Sequence, residues 1–335
     1  MFASRKRYIS RRARIAIGIV AATSLVLAGC SDSNSGGSEG AAGGDAYSIG
    51  INQLVQHPAL DEAAAGFKAA FDDAGIDVQW DEQNANGEQS TALTIAQQLA
   101  GSQPDLVLSV ATPAAQATTQ AITDIPVLFT AVTDPVEAQL VDSLETPGGN
   151  ATGTSDMTPI ADQFDLLEQL VPDAKKIGII YASGEVNSQV QVDNAKEEAA
   201  ARDMEIVTQT VTNVTEIPQA VEAIGDVDAF YVPTDNMVVS GISSLVQAAE
   251  GNGIPVIAAE AGSVEGGAAA TIGIDYFELG RQTGEMAIQI LEEGADPATM
   301  PVETATEFTY VVNEEAAQRQ GVTIPAEILA EAETV

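Results

Sequence analysis

Cysteine, histidine and tryptophan each occur once in the 335 residues, and there are 13 basic residues against 49 acidic ones. One cysteine excludes an internal disulfide and any Cys-based metal site. One histidine, His57, excludes a histidine cluster and argues against a histidine-dependent catalytic triad. The chain also lacks a Walker loop, a dinucleotide-binding glycine fingerprint and a nucleophile–base pair. Gly36-Gly37 and Gly43-Gly44 lie in a polar stretch, and Gly266-Gly267 lacks the strand–turn–helix setting of a phosphate loop. No catalytic residue, metal or cofactor is therefore expected. Six of the basic residues precede position 30, which leaves seven against 49 acidic residues afterwards, a net charge of −42. So acidic a surface repels nucleic acid and anionic lipid, and neither is expected as a partner.

The single cysteine ends the run Leu27-Ala28-Gly29-Cys30. An apolar stretch over residues 15–27 precedes it, and Arg5, Lys6, Arg7, Arg11, Arg12 and Arg14 come before that. A basic head, a short apolar run and small residues at a cleavage point form a secretory signal. The run falls well short of the ~20 residues that a membrane-spanning helix needs. Leu-Ala-Gly-Cys resembles the lipobox of bacterial lipoproteins, in which the cysteine is lipidated and becomes the first residue. Residues 1–29 are thus expected to be a signal peptide. Residues 30–45, rich in Ser and Gly with some acidic residues, are expected to be a flexible tether from lipidated Cys30. The mature chain is expected outside the cell, anchored to the outer face of the cytoplasmic membrane.

From Tyr47 onward, strand-like and helix-like segments alternate, which indicates an α/β fold with parallel sheets and right-handed crossovers. About 290 residues follow the tether, a length suited to two domains. Two stretches repeat one pattern. The first is Pro104-Asp105 with its apolar strand, Thr112, a helix, and Ile125-Pro126-Val127; the second is Val227-Asp228, Thr234, a helix, and Ile254-Pro255-Val256. Two similar, doubly wound lobes follow from this. One hinge crossing is placed in the Gly/Thr/Asn stretch over residues 148–156 and another near residues 273–275. Lobe 1 is assigned residues 46–152 plus about 276–302, and lobe 2 residues 153–275 plus about 303–335.

Ligands of open α/β sheets bind beyond the carboxyl ends of the strands, where helix N-termini point. Thr112-Pro113 follows one strand and reads as a helix start with free N–H groups, able to hold a carboxylate. Thr133-Asp134-Pro135 follows the next strand with the same logic. Asn187-Ser188 opens a helix in the second half, Asp235 and Glu260 follow further strands, and Asp275 lies at the return crossing. A lobe of neutral donors facing a lobe of carboxylates suits a zwitterion. Thr112 and Thr133 are expected to hold its carboxylate, and Asp235, with Glu260 or Asp275, its ammonium. His57 stands at the same sheet edge as a candidate ligand contact. Phe129, Tyr181 and Tyr231 sit at strand ends, where either core packing or stacking on a ligand is open to them.

Several of these motifs together carry a resemblance. They are His57-Pro-Ala-Leu-Asp61, Ala85-Asn-Gly-Glu88, Ala111-Thr-Pro-Ala-Ala-Gln-Ala117, Val132-Thr-Asp-Pro135, Pro147-Gly-Gly-Asn-Ala-Thr-Gly153, Glu185-Val-Asn-Ser188, Pro233-Thr-Asp-Asn236 and Gly273-Ile-Asp-Tyr276. In this order they resemble the solute-binding proteins of an ABC importer family, the tryptophan/tyrosine-type substrate-binding proteins. The resemblance implies a type I periplasmic-binding-protein fold, two lobes joined by three crossings, with the cited Thr, Asn, Ser, Asp and Glu residues at the cleft. It implies a monomeric receptor that binds a small solute, an amino acid and an aromatic one among the choices, and delivers it to ABC permease subunits. A ligand sensor of the same fold and a secreted enzyme are the alternatives. Cys30→Ser is expected to release the protein into the medium or leave it unprocessed. Cell fractionation with mass analysis of the N-terminus checks this, and a processed Cys30→Ser chain that stays on the membrane would contradict the anchor.

Overall fold

The computed structural model describes residues 46–335. The expected signal peptide, Cys30 and the tether lie outside the described residues. In chain order the first half contains β1 (Tyr47–Gln53), α1 (Pro58–Ala74), β2 (Val78–Asn84), α2 (Gln89–Ser102), β3 (Leu106–Val110), α3 (Thr112–Ala121), β4 (Val127–Val132) and β5 (Ala151–Ser155). There follow α4 (Ile160–Leu170), β6 (Lys176–Ala182), α5 (Val186–Ala201), β7 (Glu205–Val211), α6 (Ile217–Ile224), β8 (Ala229–Val232), α7 (Asn236–Ser240), α8 (Ile242–Gly251), β9 (Val256–Ala258), α9 (Ala261–Glu265) and β10 (Ala270–Gly273). The chain ends with α10 (Tyr276–Glu293), β11 (Glu303–Thr304), β12 (Thr309–Val312), α11 (Glu314–Arg319), α12 (Ala326–Glu331) and β13 (Glu333–Thr334).

These strands form two sheets. The first has the order β11-β5-β4-β3-β1-β2 and the second β13-β12-β10-β9-β8-β6-β7. Pairing is parallel throughout the first sheet and through most of the second, where β12 runs antiparallel to β10. Helices cover both faces of each sheet, so the central strands are buried on both sides. That is why β3, β4 and β8 are fully buried apolar runs. The chain passes between the lobes after β5, after β10 and after β11.

The boundaries differ from those read off the sequence. The stretch assigned to a hinge contains β5, a buried strand of Ala, Thr, Gly and Ser that pairs with β4. Its threonines take the place of apolar side chains by bonding inward. Thr154 Oγ1 donates to Thr130 Oγ1 at 3.1 Å, and Thr152 Oγ1 donates to the Met300 carbonyl at 2.8 Å. The first crossing therefore comes after Ser155, and β11 keeps residues 303–304 in lobe 1. Gly241 divides the helix expected between Thr234 and Ile254 into α7 and α8.

The return helix α10 lies against α1 and belongs to lobe 1 through their shared core of Leu60, Phe67, Leu279 and Met286. Backbone touches backbone along this contact. A Cβ at Gly280 would fall on the Ala63 carbonyl, and one at Gly66 on the Phe277 carbonyl. Gly280→Ala is expected to force the helices apart and to destabilise the protein by about 1–3 kcal/mol. Urea unfolding of the two proteins checks this.

Candidate functional site

The carboxyl ends of both sheets face each other across the cleft. β1, β3, β4 and β5 bring Leu54–His57, Thr112, Thr133 and Asp156 from one side. β6, β8 and β9 bring Glu185–Ser188, Thr234–Asn236 and Glu260 from the other. A narrow interior cavity of ≈ 10 Å³ lies between them, about the space of one water molecule, with His57, Ala131, Asp156, Thr234, Asn236, Glu260 and Tyr276 in its wall. Toward the mouth, a second, wider chamber of ≈ 160 Å³ lies between Leu54, Val55 and Asn86 of lobe 1 and Glu185, Val214 and Met237 of lobe 2.

Lobe 1 offers neutral groups, held by strained backbone. Ala111 has φ 83° and ψ 151°, and Ala131 has φ 55°, both conformations that favour glycine. Each costs on the order of 1–3 kcal/mol, a load found most often at binding sites. The kink at Ala111 lets α3 begin at once. Thr112, expected as the helix cap, is instead its first residue, and the cap position belongs to Ala111, which has no side-chain oxygen to offer. The first-turn N–H groups of α3 consequently have no side-chain partner, and the buried Thr112 Oγ1 has none either. Thr133 is not followed by a helix; Asp134 Oδ1 accepts from the Val136 and Glu137 N–H groups in a turn.

The carboxylates assigned to the ligand's ammonium fall in three different situations. Asp235 is fully buried and committed to lobe 2. Its Oδ1 accepts from Val238 N at 2.8 Å, and its Oδ2 accepts from Ala182 N at 2.6 Å and Ser188 Oγ at 2.7 Å. Both oxygens are engaged within its own lobe, and it stands outside the cavity wall where it was expected to meet an ammonium. Ser188 likewise supports Asp235. Glu260 caps α9, its Oε1 accepting from Ser263 N and Oγ and its Oε2 from Gly262 N at 2.7 Å; it also lines the cavity, where Oε2 retains acceptor capacity. Asp275 caps α10 through Glu278 N at 3.0 Å, and its side chain is exposed on the outer side of the crossing. That position takes it out of the cavity wall and corrects the alternative that it meets the ligand.

The acidic group with a free oxygen is Asp156, which the composition of the hinge stretch concealed. Tyr276 Oη donates to its Oδ2 at 2.7 Å, whereas Oδ1 is buried without a partner in the protein. Burial pushes the carboxyl up from its usual range, and the Tyr276 hydrogen bond works against that. Glu260 is raised by burial in the same way, opposed by Ser263 and Gly262. Burial, then the charge of Asp235, pushes Glu185 up to about 8, against hydrogen bonds from Asn236 and Asn187. Among the described residues no lysine or arginine lines the cavity.

Asn187 is buried in the first turn of α5, where its amide nitrogen is bonded and its Oδ1 is free. Gln191, one turn further on, bridges the lobes. Its Nε2 donates to Thr234 Oγ1 at 2.5 Å and to Thr133 Oγ1 at 3.3 Å, and its Oε1 accepts from Thr234 N at 3.1 Å. The aromatic strand-end residues belong to the core or the surface. Phe129 and Tyr231 are fully buried, and Tyr231 Oη donates to Gln163 Oε1 at 2.6 Å; Tyr181 is half-buried beside α5. Asp156, Tyr276, Thr234, Asn236, Gln191 and Glu185 were missed as site residues. For Glu185, Thr234, Asn236 and Tyr276 a signal existed, since they stand inside quoted motifs.

His57 lies buried in the cavity wall, and neither ring nitrogen has a partner in the protein. Burial lowers its pKa to about 4, opposed by Asn236 and by the Asp61 charge. The imidazole is neutral when folded, and the unfolded chain takes up the proton first as pH falls. The stability from keeping it neutral is intact above about 6.5 and is lost progressively down to about 4. Relative to His57→Gln, the native protein should lose stability across that window and run parallel to it above pH 7. Urea unfolding of both proteins as a function of pH checks this.

A family model described as ABC transporter substrate binding protein matches residues 48–335. A tyrosine-binding protein of Clostridioides difficile (strain R20291) is 45% identical over 272 residues, covering 80% of this chain and 79% of that protein. Among solved structures, an ABC domain from Streptococcus pneumonia in complex with L-Trp superposes with a TM-score of 0.84 at 38% identity, covering 87% of this chain and 100% of that one. The ligand-free, open structure of a Clostridium difficile substrate binding protein with adhesive properties gives a TM-score of 0.67 at 42% identity, covering 86% and 99%. This chain is nearer in sequence to the open protein and nearer in shape to the L-Trp complex.

Proposed function

The chain belongs to the ABC transporter substrate binding protein family, and we propose that its cleft captures an aromatic L-amino acid for delivery to an ABC permease. The fold is that of the type I periplasmic binding proteins, in which the lobes close over ligand by a hinge motion. The observation that carries the ligand reading is the set of buried polar groups without partners around one cavity. Asp156 and His57 line that cavity, with Asp156 Oδ1 and both nitrogens of neutral His57 unpartnered, and Thr112 Oγ1 is likewise buried without a partner at the start of α3. Burying such groups unpaired is costly, and a ligand that supplies the missing partners recovers that cost.

A zwitterion fits them. Its carboxylate is received by the start of α3 and Thr112, which provide N–H and O–H groups without a formal charge. Its ammonium is received by Asp156, with Glu260 opposite. Thr133 contributes through Gln191, which holds it to lobe 2, and Asp235 supports the loop that carries Asn236. The mouth chamber, with Leu54, Val214 and Met237, has room for an aromatic side chain. The names of the relatives support the same ligand class, one being a tyrosine-binding protein and another having been solved with L-Trp. Cys30 and residues 31–45 fit the picture as a lipid anchor and tether that keep the receptor near its permease outside the cytoplasmic membrane. One lipid chain anchors only marginally, so this reading requires more than one acyl chain.

Calorimetric titration of the protein starting at residue 31 with the twenty amino acids tests the proposal. Heat from tyrosine, tryptophan or phenylalanine is expected, and none from any amino acid would overturn it. Asp156→Asn should weaken binding by about 10- to 100-fold, since a charge-assisted hydrogen bond is worth ~1.5–3 kcal/mol. Unchanged affinity in that variant would remove the ammonium role.

A further inference from the structure

The buried amide of Asn187 can be oriented from its surroundings alone. Its Nδ2 lies 3.1 Å from Glu185 Oε2, 3.1 Å from the Thr234 carbonyl and 3.3 Å from Ser188 Oγ. The Thr234 carbonyl only accepts, Glu185 Oε2 already acts as acceptor toward the N and Nδ2 of Asn236, and Ser188 gives its own hydrogen to Asp235 Oδ2 at 2.7 Å. All three neighbours therefore require an N–H donor at this end of the amide. Reversing the amide would press Oδ1 against two acceptor oxygens, so the network decides the orientation. The three neighbours all belong to lobe 2. The opposite end of the amide, Oδ1, is buried without a partner, on a residue whose bonded neighbours Glu185 and Thr234 line the two cavities of the cleft.

Glu185 is the strongest of the three constraints and is itself immobilised. Its Oε2 accepts from Asn236 N at 3.1 Å and Asn236 Nδ2 at 2.6 Å, and its Oε1 accepts from Met237 N at 3.1 Å. It holds the start of α7 and the side chain of Asn187 in one arrangement.

Resting on the amino-acid reading of the cleft, we infer that Asn187 is held as a hydrogen-bond acceptor that reads an N–H or O–H hydrogen of the bound ligand, with Glu185 as the positioning residue. A group so fixed rejects a ligand carboxylate and discriminates against analogues that lack the hydrogen it expects, because its buried oxygen is then left unpaired. That hydrogen has two sources in an aromatic amino acid, the α-ammonium and a polar group on the ring.

The test measures dissociation constants of L-tyrosine, L-phenylalanine and 3-(4-hydroxyphenyl)propionate for the native protein, Asn187→Leu and Glu185→Gln. Thermal melting of each variant without ligand reports its fold. L-Tyrosine should bind Asn187→Leu at least tenfold more weakly, and Glu185→Gln several-fold more weakly. The loss should vanish for one of the two truncated ligands. If it vanishes for the propionate, Asn187 reads the ammonium; if for phenylalanine, it reads the ring hydroxyl. Equal weakening of all three ligands, or of none, overturns the inference, and Asn187→Leu decides alone if Glu185→Gln does not fold. Failure of the native protein to bind any of the three would refute the ligand reading itself.

Discussion

Buried polar groups must find partners, and the arrangement of the cleft follows from that requirement. Asp156, Glu185, Asp235 and Glu260 are buried in a protein that has few cations to set against them. Carboxylates in such a place are tolerated when N–H and O–H groups surround them. Asp235 and Glu260 meet the requirement with the first turns of α7 and α9. Glu185 meets it with the amides of Asn187, Asn236 and Met237. Asp156 meets it on one oxygen only, and the remaining oxygen makes it the open position in an otherwise closed account.

The same requirement explains why the bonds between the lobes are few. Thr133 to Gln191, Thr133 to Thr234, and Gln89 Nε2 to the Gly184 carbonyl at 3.0 Å are the side-chain links across the cleft itself. Bonds of this kind contribute roughly 0.5–1.5 kcal/mol each. Together they hold the lobes only lightly, as extensive ion pairing across the cleft would not. The scarce cations are used elsewhere: Arg202 binds Asp165, Glu168 and Glu198 on the outside of lobe 2, and Arg319 binds Glu250.

Most of the architecture was legible because parallel sheets covered on both faces leave a plain signature. Uniform apolar runs such as β3 and β8, separated by amphipathic helices, admit few other folds. The misses share a cause. β5 is built from Thr, Gly and Ser whose hydroxyls bond to Thr130, Thr283 and Met300, partners distant in sequence, so its burial leaves no hydrophobic trace. Asp156 was hidden with it, as a polar residue ending a stretch that reads as a loop. In the second lobe the opposite error arose. Asp235 and Glu260 stood where ligand carboxylates stand, but local N–H groups occupy Asp235 fully and Glu260 in part.

The sequence by itself determined the α/β class, the two-lobed plan, the edge at which a ligand must bind, and the absence of histidine clusters and disulfides. Those follow from periodicity, repetition and counting, which are properties of the chain. Which carboxylate remains open, which amide end stays unpaired, and which threonine joins the lobes were decided only by the tertiary structure. A hydrogen-bonding group can be satisfied by neighbours two residues away or a hundred, and its spare capacity is known only once every neighbour is in place.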